Sequence, residues 1–206
     1  MNIFNKGDYR PVPPELRTMG IASLQELSKF QEQFKMYDTD TSINTIRDAI
    51  VANYLGYDLL NFEKHGFDAR KSKVEQFIEI KQCSLNSGSL SGTWNDTSEE
   101  KAVAFSDPRV FTAIAIWKGA SDLQFMVYGQ HNGVGEYLLK RVQERKAGSR
   151  ATQKIAIETL IGTYKFNVIC PPDKTREYVL QLLIAYKRKL SEYVTLSHIQ
   201  TVQTFQ

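Results

Sequence analysis

Cysteine and histidine are scarce in this chain, and their spacing excludes the usual thiol and zinc sites. The two cysteines, Cys83 and Cys170, form no CxxC pair, so neither a disulfide framework nor a thiolate zinc site is indicated. The three histidines, His65, His131 and His198, are scattered and lack a metal-binding spacing.

Long apolar runs are also absent. No stretch of about 18 apolar residues occurs, so no membrane span is predicted. Met1–Arg10 lacks the apolar core of a secretory signal, and we expect a cytoplasmic protein. Hydrophobic residues make up 42% and charged residues 24% of the 206 residues, as in ordinary soluble proteins. We therefore predict a single domain over residues 1–206.

The charge is unevenly distributed, although the net charge is only +3. Residues 138–190 carry 12 lysines and arginines against four acidic residues. This basic C-terminal segment is suited to a polyanion such as nucleic acid. A solvated helical surface explains the same charge equally well, and both interpretations stay open.

The apolar spacing predicts an α/β fold with a mixed central sheet flanked by helices. Residues 1–20 contain three prolines and predict an irregular N-terminal arm. Residues 84–98 are rich in Ser, Asn, Gly and Thr and predict a long surface loop. Residues 155–161 fit a helix or a strand. Helices are predicted at 22–37, 43–55, 134–146 and 175–190, and strands at 66–70, 75–83, 111–117, 123–128 and 164–170.

Two carboxylates and a lysine are brought together by the predicted hairpin at 66–83. Alternate residues of a strand share a face, so Ile78 and Ile80 point into the core while Glu79 and Lys81 point to the other face. The turn after residue 70 brings Asp68 back beside them. Two carboxylates suit Mg²⁺, which prefers oxygen ligands, and a neighbouring ammonium suits phosphodiester hydrolysis.

This arrangement resembles the PD-(D/E)xK nucleases, a family that includes most type II restriction endonucleases. The resemblance rests on Asp68 and on Glu79-Ile80-Lys81, preceded by a helix, although Phe67 stands where the family's proline would be. It implies a restriction-endonuclease-like fold with Asp68, Glu79 and Lys81 as catalytic residues. It also implies Asp68 and Glu79 as Mg²⁺ ligands, assisted by the helix residue Asp48. A favourable position in the helix dipole also explains Asp48 and is the preferred interpretation.

The resemblance implies a Mg²⁺-dependent endonuclease that cuts double-stranded DNA at a specific sequence. Such a chain acts as a homodimer on a palindromic site, and the helix at 22–37 is a candidate dimer element. Two alternatives stay open. One is a structure-specific nuclease similar to junction resolvases, and the other is a DNA-binding module without catalysis.

Eight further residues are candidate DNA contacts. Amides and hydroxyls near the hairpin and in the 84–98 loop suit phosphates or base edges, and basic side chains suit phosphates. The polar residues near the hairpin and in the loop are equally consistent with a strand end and a solvent loop, and a turn residue is the preferred interpretation of His131. The candidates are Gln82, Ser84, Asn86, Asn95, His131, Asn132, Lys140 and Arg141.

Overall fold

A mixed eight-stranded sheet with helices on both faces organises the chain, as the apolar pattern predicts. The computed structural model describes residues 9–34, 41–60, 67–145 and 151–202. The strands are β1 (Tyr9–Arg10), β2 (Asp58–Leu60), β3 (Ala69–Lys71), β4 (Gln76–Ser84), β5 (Ser91–Thr97), β6 (Val110–Lys118), β7 (Asp122–Gln130), β8 (Ala151–Ala156), β9 (Asn167–Cys170) and β10 (Ile199–Thr201). The helices are α1 (Pro14–Phe34), α2 (Thr41–Tyr54), α3 (Glu99–Phe105), α4 (Asn132–Gln143), α5 (Ile157–Gly162) and α6 (Arg176–Tyr186).

The strand order of the sheet is β1-β2-β3-β4-β6-β7-β9-β10. The pairs β4–β6 and β9–β10 are parallel, and the remaining pairs of this sheet are antiparallel. Strand β4 therefore lies inside the sheet, between β3 and β6. A parallel neighbour needs a crossover connection, which here contains β5 and α3.

The two faces of the sheet build two separate hydrophobic clusters. One face packs Ile78 and Ile80 of β4 with apolar residues of α1 and α2. The other face packs Phe77 and Cys83 of β4 with apolar residues of α3, α4, α5 and α6. The alternation predicted for this strand is confirmed. Within the described ranges, no helix combines the length and apolarity needed to cross a membrane.

The predicted irregular arm at residues 1–20 is wrong over its second half. Strand β1 pairs with β2, and α1 begins at Pro14, eight residues before the predicted start. Proline is well tolerated in the first turn of a helix, where its missing N–H has no partner to lose. Leu24 of α1 is almost fully buried within the chain, so this apolar position of the candidate dimer element needs no partner to explain it. Residues 1–8 and 35–37 lie outside the described residues.

The predicted surface loop at 84–98 is also wrong, because its second half is strand β5. This strand pairs antiparallel with β8, and the two form a separate sheet that we call the ribbon. Gly92 and Trp94 alternate with polar residues and are buried against the core. The pairing partner lies about 60 residues further along the chain, so local composition could not indicate it.

Smaller differences concern segment ends. The stretch at 155–161, which fits a helix or a strand, contains both. Strand β8 ends at Ala156 and α5 begins at Ile157. The helix predicted at 175–190 ends at Tyr186 and is followed by a 3₁₀ turn over Arg188–Glu192. The strand predicted at 164–170 begins only at residue 167.

The close packing of α3 on α4 generates a stability prediction at Gly135. A Cβ atom at this position would lie 2.4 Å from the Phe105 carbonyl carbon and 2.5 Å from its oxygen. We expect Gly135→Ala to lower the free energy of unfolding by about 1 to 3 kcal/mol, despite the better helix propensity of alanine. The control is Gly88→Ala, where an added Cβ meets nothing within 4 Å. Urea unfolding of both variants measures the difference, and equal stabilities would contradict this packing.

Candidate active site

The β3–β4 hairpin places Asp68 directly beside the catalytic strand predicted from the sequence. Ala69 pairs with Ile78, and the Asp68 backbone N–H donates to the Ile78 carbonyl at 3.0 Å. At the next position of the ladder, the Ile80 N–H donates to Asp68 Oδ2 at 2.6 Å. The Asp68 carboxylate thus replaces a backbone acceptor at the end of β3. This bond ties its position to the backbone of β4.

Glu79 and Lys81 form a close ion pair on the same face of β4. Lys81 Nζ donates to Glu79 Oε1 at 2.5 Å. Glu79 is 4% exposed, and β4 is flanked by strands on both sides. Glu79 is therefore buried inside the sheet with a partly exposed Lys81 beside it, and an exposed pair on an edge strand is excluded. Burial of the Glu79 charge costs desolvation, which gives the pair little value for stability alone.

Lys101 is a second cation beside Glu79 that the sequence analysis missed. Its Nζ lies 3.9 Å from Glu79 Oε1, and its ammonium also lies over the Phe105 ring. Helix α3 places it there, and Ser98 caps that helix by accepting from the Lys101 N–H. The Ser98-x-x-Lys101 spacing indicates the helix start, but only the packing of α3 on the sheet brings Lys101 to Glu79.

Asp48 and Gln82 are joined to each other on the opposite side of β4. Gln82 Nε2 donates to Asp48 Oδ1 at 2.6 Å, and Trp117 Nε1 donates to Gln82 Oε1 at 2.5 Å. Each end of the Gln82 amide thus already has one partner within the protein, and the predicted contact of this partly exposed residue with DNA stays a prediction. The chain Asp48–Gln82–Trp117 links α2, β4 and β6.

The three carboxylates act on one another through their charges. Burial, followed by the negative charges of Glu79 and Asp48, raises the pKa of Asp68 to about 8. The positive charge of Lys81 opposes this shift. Asp68 therefore carries a proton at neutral pH in the protein alone. An added cation would favour its ionised form.

Glu79 keeps its charge in spite of burial. Desolvation acts to raise the pKa of Glu79, but the charges of Lys81 and then Lys101 outweigh it, and the pKa is lowered. Desolvation likewise acts to lower the pKa of Lys81, but Glu79 and Asp68 outweigh it and raise that pKa. Each partner holds the other in its charged form. At neutral pH the centre therefore offers an ionised carboxylate and an ammonium.

His131 is fully buried, so its predicted contact with DNA is wrong for this structure. Trp94 Nε1 donates to His131 Nε2 at 2.9 Å, and His131 Nδ1 lies 3.2 Å from the Phe105 carbonyl oxygen. Because Nε2 accepts, Nδ1 carries the proton and donates to Phe105. Burial lowers the pKa of His131 to about 4, which keeps the ring neutral. The histidine thereby connects the ribbon, α3 and the start of α4.

The other candidate DNA contacts lie outside this centre. Asn86, Asn95, Lys140 and Arg141 are exposed, and Ser84 and Asn132 are partly exposed. Several of the basic side chains between residues 138 and 190 pair with nearby acids. Arg141 pairs with Glu144 at 2.6 Å, and Lys187 and Lys189 both pair with Glu158. The basic segment is thus distributed over several elements.

The oxygen donors at this centre fit Mg²⁺ bound by few protein ligands. In the part of the chain that the structure describes, no three His, Cys, Asp or Glu side chains converge to hold a metal ion. Asp48 therefore completes no three-carboxylate cluster there. Mg²⁺ is commonly held by one or two carboxylates, with water and substrate phosphate as the remaining ligands. The negative charge of Glu79 disfavours ionisation of Asp68, and a bound cation would relieve this repulsion.

Thr112 adds a polar group next to Glu79. It is paired with Glu79 across the parallel β4–β6 ladder, and its side chain is fully buried. Its Oγ1 has no hydrogen-bond partner among the described residues. The face of the sheet around Glu79 is therefore more polar than a hydrophobic core requires.

Comparisons with known proteins leave the family open. No protein-family model matches this chain, and the curated proteins show no significant relative.

The raised pKa of Asp68 generates a prediction for stability against pH. Its pKa lies above the ordinary value in the folded chain, so folding binds a proton and stability falls as the pH rises from about 4 to 8. Asp68→Asn removes this dependence and keeps an acceptor for Ile80. Relative to wild type, we expect the variant to gain on the order of 3 to 4 kcal/mol between pH 5 and pH 8.

The measurement is urea unfolding at both pH values in excess EDTA. The control is Asp107→Asn, because a hydrogen bond from Arg109 lowers the pKa of Asp107. Loss of the Asp107 carboxylate should destabilise the protein at neutral pH, so the stability change has the opposite sign to that of Asp68→Asn. A pH-independent difference between Asp68→Asn and wild type would contradict the repulsion described here.

Proposed function

We propose that this protein is a Mg²⁺-dependent endonuclease that hydrolyses double-stranded DNA at a specific sequence, with Asp68, Glu79 and Lys81 as its catalytic residues. The proposal includes a restriction-endonuclease-like fold. In the order α2, β2, β3, β4, β5, α3, β6, the helix, two strands, helix and strand that the resemblance to PD-(D/E)xK nucleases implies follow one another, with β2 and β5 in addition.

One observation carries the proposal, namely that one hairpin holds a buried, charged Glu79 beside a partly exposed Lys81 and a partly exposed, repelled Asp68. A structural role does not require this arrangement, since apolar residues of similar size would stabilise the sheet as well or better. Charged groups that reduce stability are typical of functional sites. Their chemistry, two carboxylates and an ammonium, suits phosphodiester hydrolysis better than acyl transfer, for which a nucleophile and base would be needed.

Asp68 and Glu79 would hold the cation, and Asp48 would act from a distance through its charge. When bound, Mg²⁺ lowers the pKa of water and polarises the scissile phosphate. The pKa of Asp68, about 8, implies that this carboxyl loses a proton when a cation binds. Glu79 is already ionised, and its pairing with Lys81 fixes its orientation.

Lys81 has the position expected of a group that stabilises charge on the reacting phosphate. Its ammonium is partly exposed, whereas its partner Glu79 is buried, so Lys81 is the member of the pair that substrate can reach. Lys101 lies on the same side and is one-third exposed. Two ammonium groups beside one phosphate would stabilise the extra negative charge of the transition state.

Cleavage of both strands is proposed to need two copies of the chain. A single centre of this kind acts on one strand, and a symmetric homodimer presents two centres to a palindromic site. Size-exclusion chromatography with light scattering, with and without duplex DNA, measures this state.

The catalytic assignment predicts a separation of cleavage from binding. Glu79→Ala and Lys81→Ala should each lower single-turnover cleavage by several orders of magnitude while gel-shift affinity for duplex DNA persists, because both act mainly on the transition state. Lys118→Ala, an exposed lysine at the end of β6, is the control for general loss of positive charge. Cleavage near the wild-type rate in either catalytic variant would refute the assignment.

The carboxylate centre predicts a dependence on the size of the cation. Mg²⁺ or Mn²⁺ should support cleavage, whereas Ca²⁺ should support binding without efficient cleavage, because Ca²⁺ coordinates more loosely and activates water less. Digestion of mixed-sequence duplex DNA, followed by sequencing of the ends, measures both activity and site. Robust cleavage in excess EDTA would rule the mechanism out, and the absence of any cleavage would favour a DNA-binding module.

A further inference from the structure

The ribbon has one face in the core and one face outside. Trp94 and Ile155 are buried, and a Cβ on Gly92 would lie 2.6 Å from Ile114, so this face packs tightly on the sheet. The alternating positions point outward and are partly or fully exposed. They are Ser91, Thr93, Asn95, Thr152, Lys154 and Ala156.

This outer face offers hydroxyl, amide and ammonium groups, and the one acidic residue of β5 and β8, the exposed Asp96, lies in the irregular end of β5. Thr93 pairs directly with Lys154 across the two strands, and Asn95 continues the row. The exposed basic residues Lys140 and Arg145 lie on or just after α4, which contacts β8 through the hydrogen bond from Tyr137 to Gln153. The composition is that of a surface for a polyanion with polar base edges.

The far end of the ribbon is close to the catalytic centre. Strand β5 begins seven residues after the end of β4, and its last residue, Thr97, is followed by Ser98, the cap of α3. One turn later Lys101 reaches Glu79. A register shift between Trp94 and Thr97, with Asp96 at a φ of 48°, bends the strand there. Bulges of this kind redirect a strand next to an active site.

The dimensions of the ribbon suit the DNA major groove. Seven residues of β5 span roughly 20 Å, and two strands lie about 4.8 Å apart. The major groove is about 12 Å wide and admits a two-stranded ribbon. Resting on the proposed function, we infer that the outer face of the ribbon enters the major groove of the substrate duplex. Thr93 and Asn95 contact base edges there, and Lys154 contacts the phosphate backbone.

The test uses the whole protein and a duplex library with a randomised segment. Binding is selected in Ca²⁺, cleavage is measured in Mg²⁺, and bound and cut sequences are determined. Asn95→Ala and Thr93→Ala should each reduce discrimination at one base pair by about 10-fold while Mg²⁺-dependent cleavage persists. Lys154→Ala should weaken binding to all sequences and reduce the slope of log affinity against log salt by about one.

Matched exposed residues elsewhere provide the controls. They are Asn167→Ala on β9, Thr201→Ala on β10 and Lys118→Ala on β6. If the ribbon variants behave like these controls while wild type cuts DNA at a specific site, the ribbon inference is overturned and the proposed function stands. If wild type neither binds nor cuts any duplex, both are overturned.

A modified base distinguishes the two grooves. In the selected site, 7-deazaadenine removes the N7 acceptor of the major groove, and we expect it to lower wild-type affinity about 10-fold at the position that Asn95 contacts. Asn95→Ala should show no further loss on this DNA. Replacement of guanine by inosine removes a minor-groove amino group. An effect of inosine alone would overturn the major-groove placement.

Discussion

The charge on Glu79 is the feature on which the arrangement of this site depends. A carboxylate inside a sheet loses most of its hydration. Only a close and well-oriented cation can offset this desolvation cost and keep the carboxylate charged. Lys81, two residues further along the same strand, supplies that cation at 2.5 Å. The pair leaves a polar centre between two hydrophobic clusters. Lys101 and the hydroxyl of Thr112 gather around it on the same face.

The lysine ammonium groups do not compensate all of the negative charge at this site, as Asp68 shows. The two ammonium groups neutralise Glu79, but the remaining carboxyl experiences the negative charges of Glu79 and Asp48, and burial adds to the effect. A protein selected only for stability would replace Asp68 by an amide or an apolar residue. The hydrogen bond from the Ile80 N–H holds the carboxyl in place nevertheless. A site that retains repulsion between neighbouring carboxyls is suited to a positively charged ligand.

The sequence predicted the part of the site that depends on local geometry. Alternation along β4 and the short turn before it are enough to place Asp68, Glu79 and Lys81 together, because only the strand period and the hairpin enter the argument. The partners of these residues come from distant segments. Lys101 needs the packing of α3 on the sheet, and His131 needs Trp94 and Phe105 around it. Contacts of this kind leave no periodic pattern in the sequence segments that carry Lys101 and His131.

The ribbon is likewise formed by segments distant in the sequence, so local patterns do not predict it. Its contacts also connect it to the candidate site. An isolated pair of strands is only marginally stable, so β5 and β8 must be fixed to the rest of the protein by side chains. Trp94 does this through His131, and Leu90, just before β5, does so through the hydroxyl of Tyr186. Through His131, which lies 3.2 Å from the Phe105 carbonyl oxygen, the first anchor joins the ribbon to α3, the helix that carries Lys101. For the proposed endonuclease, the distance between the groove-reading residues and the scissile phosphate is then set by a rigid unit. Outward residues such as Thr93 and Asn95 can change without disturbing the chemistry.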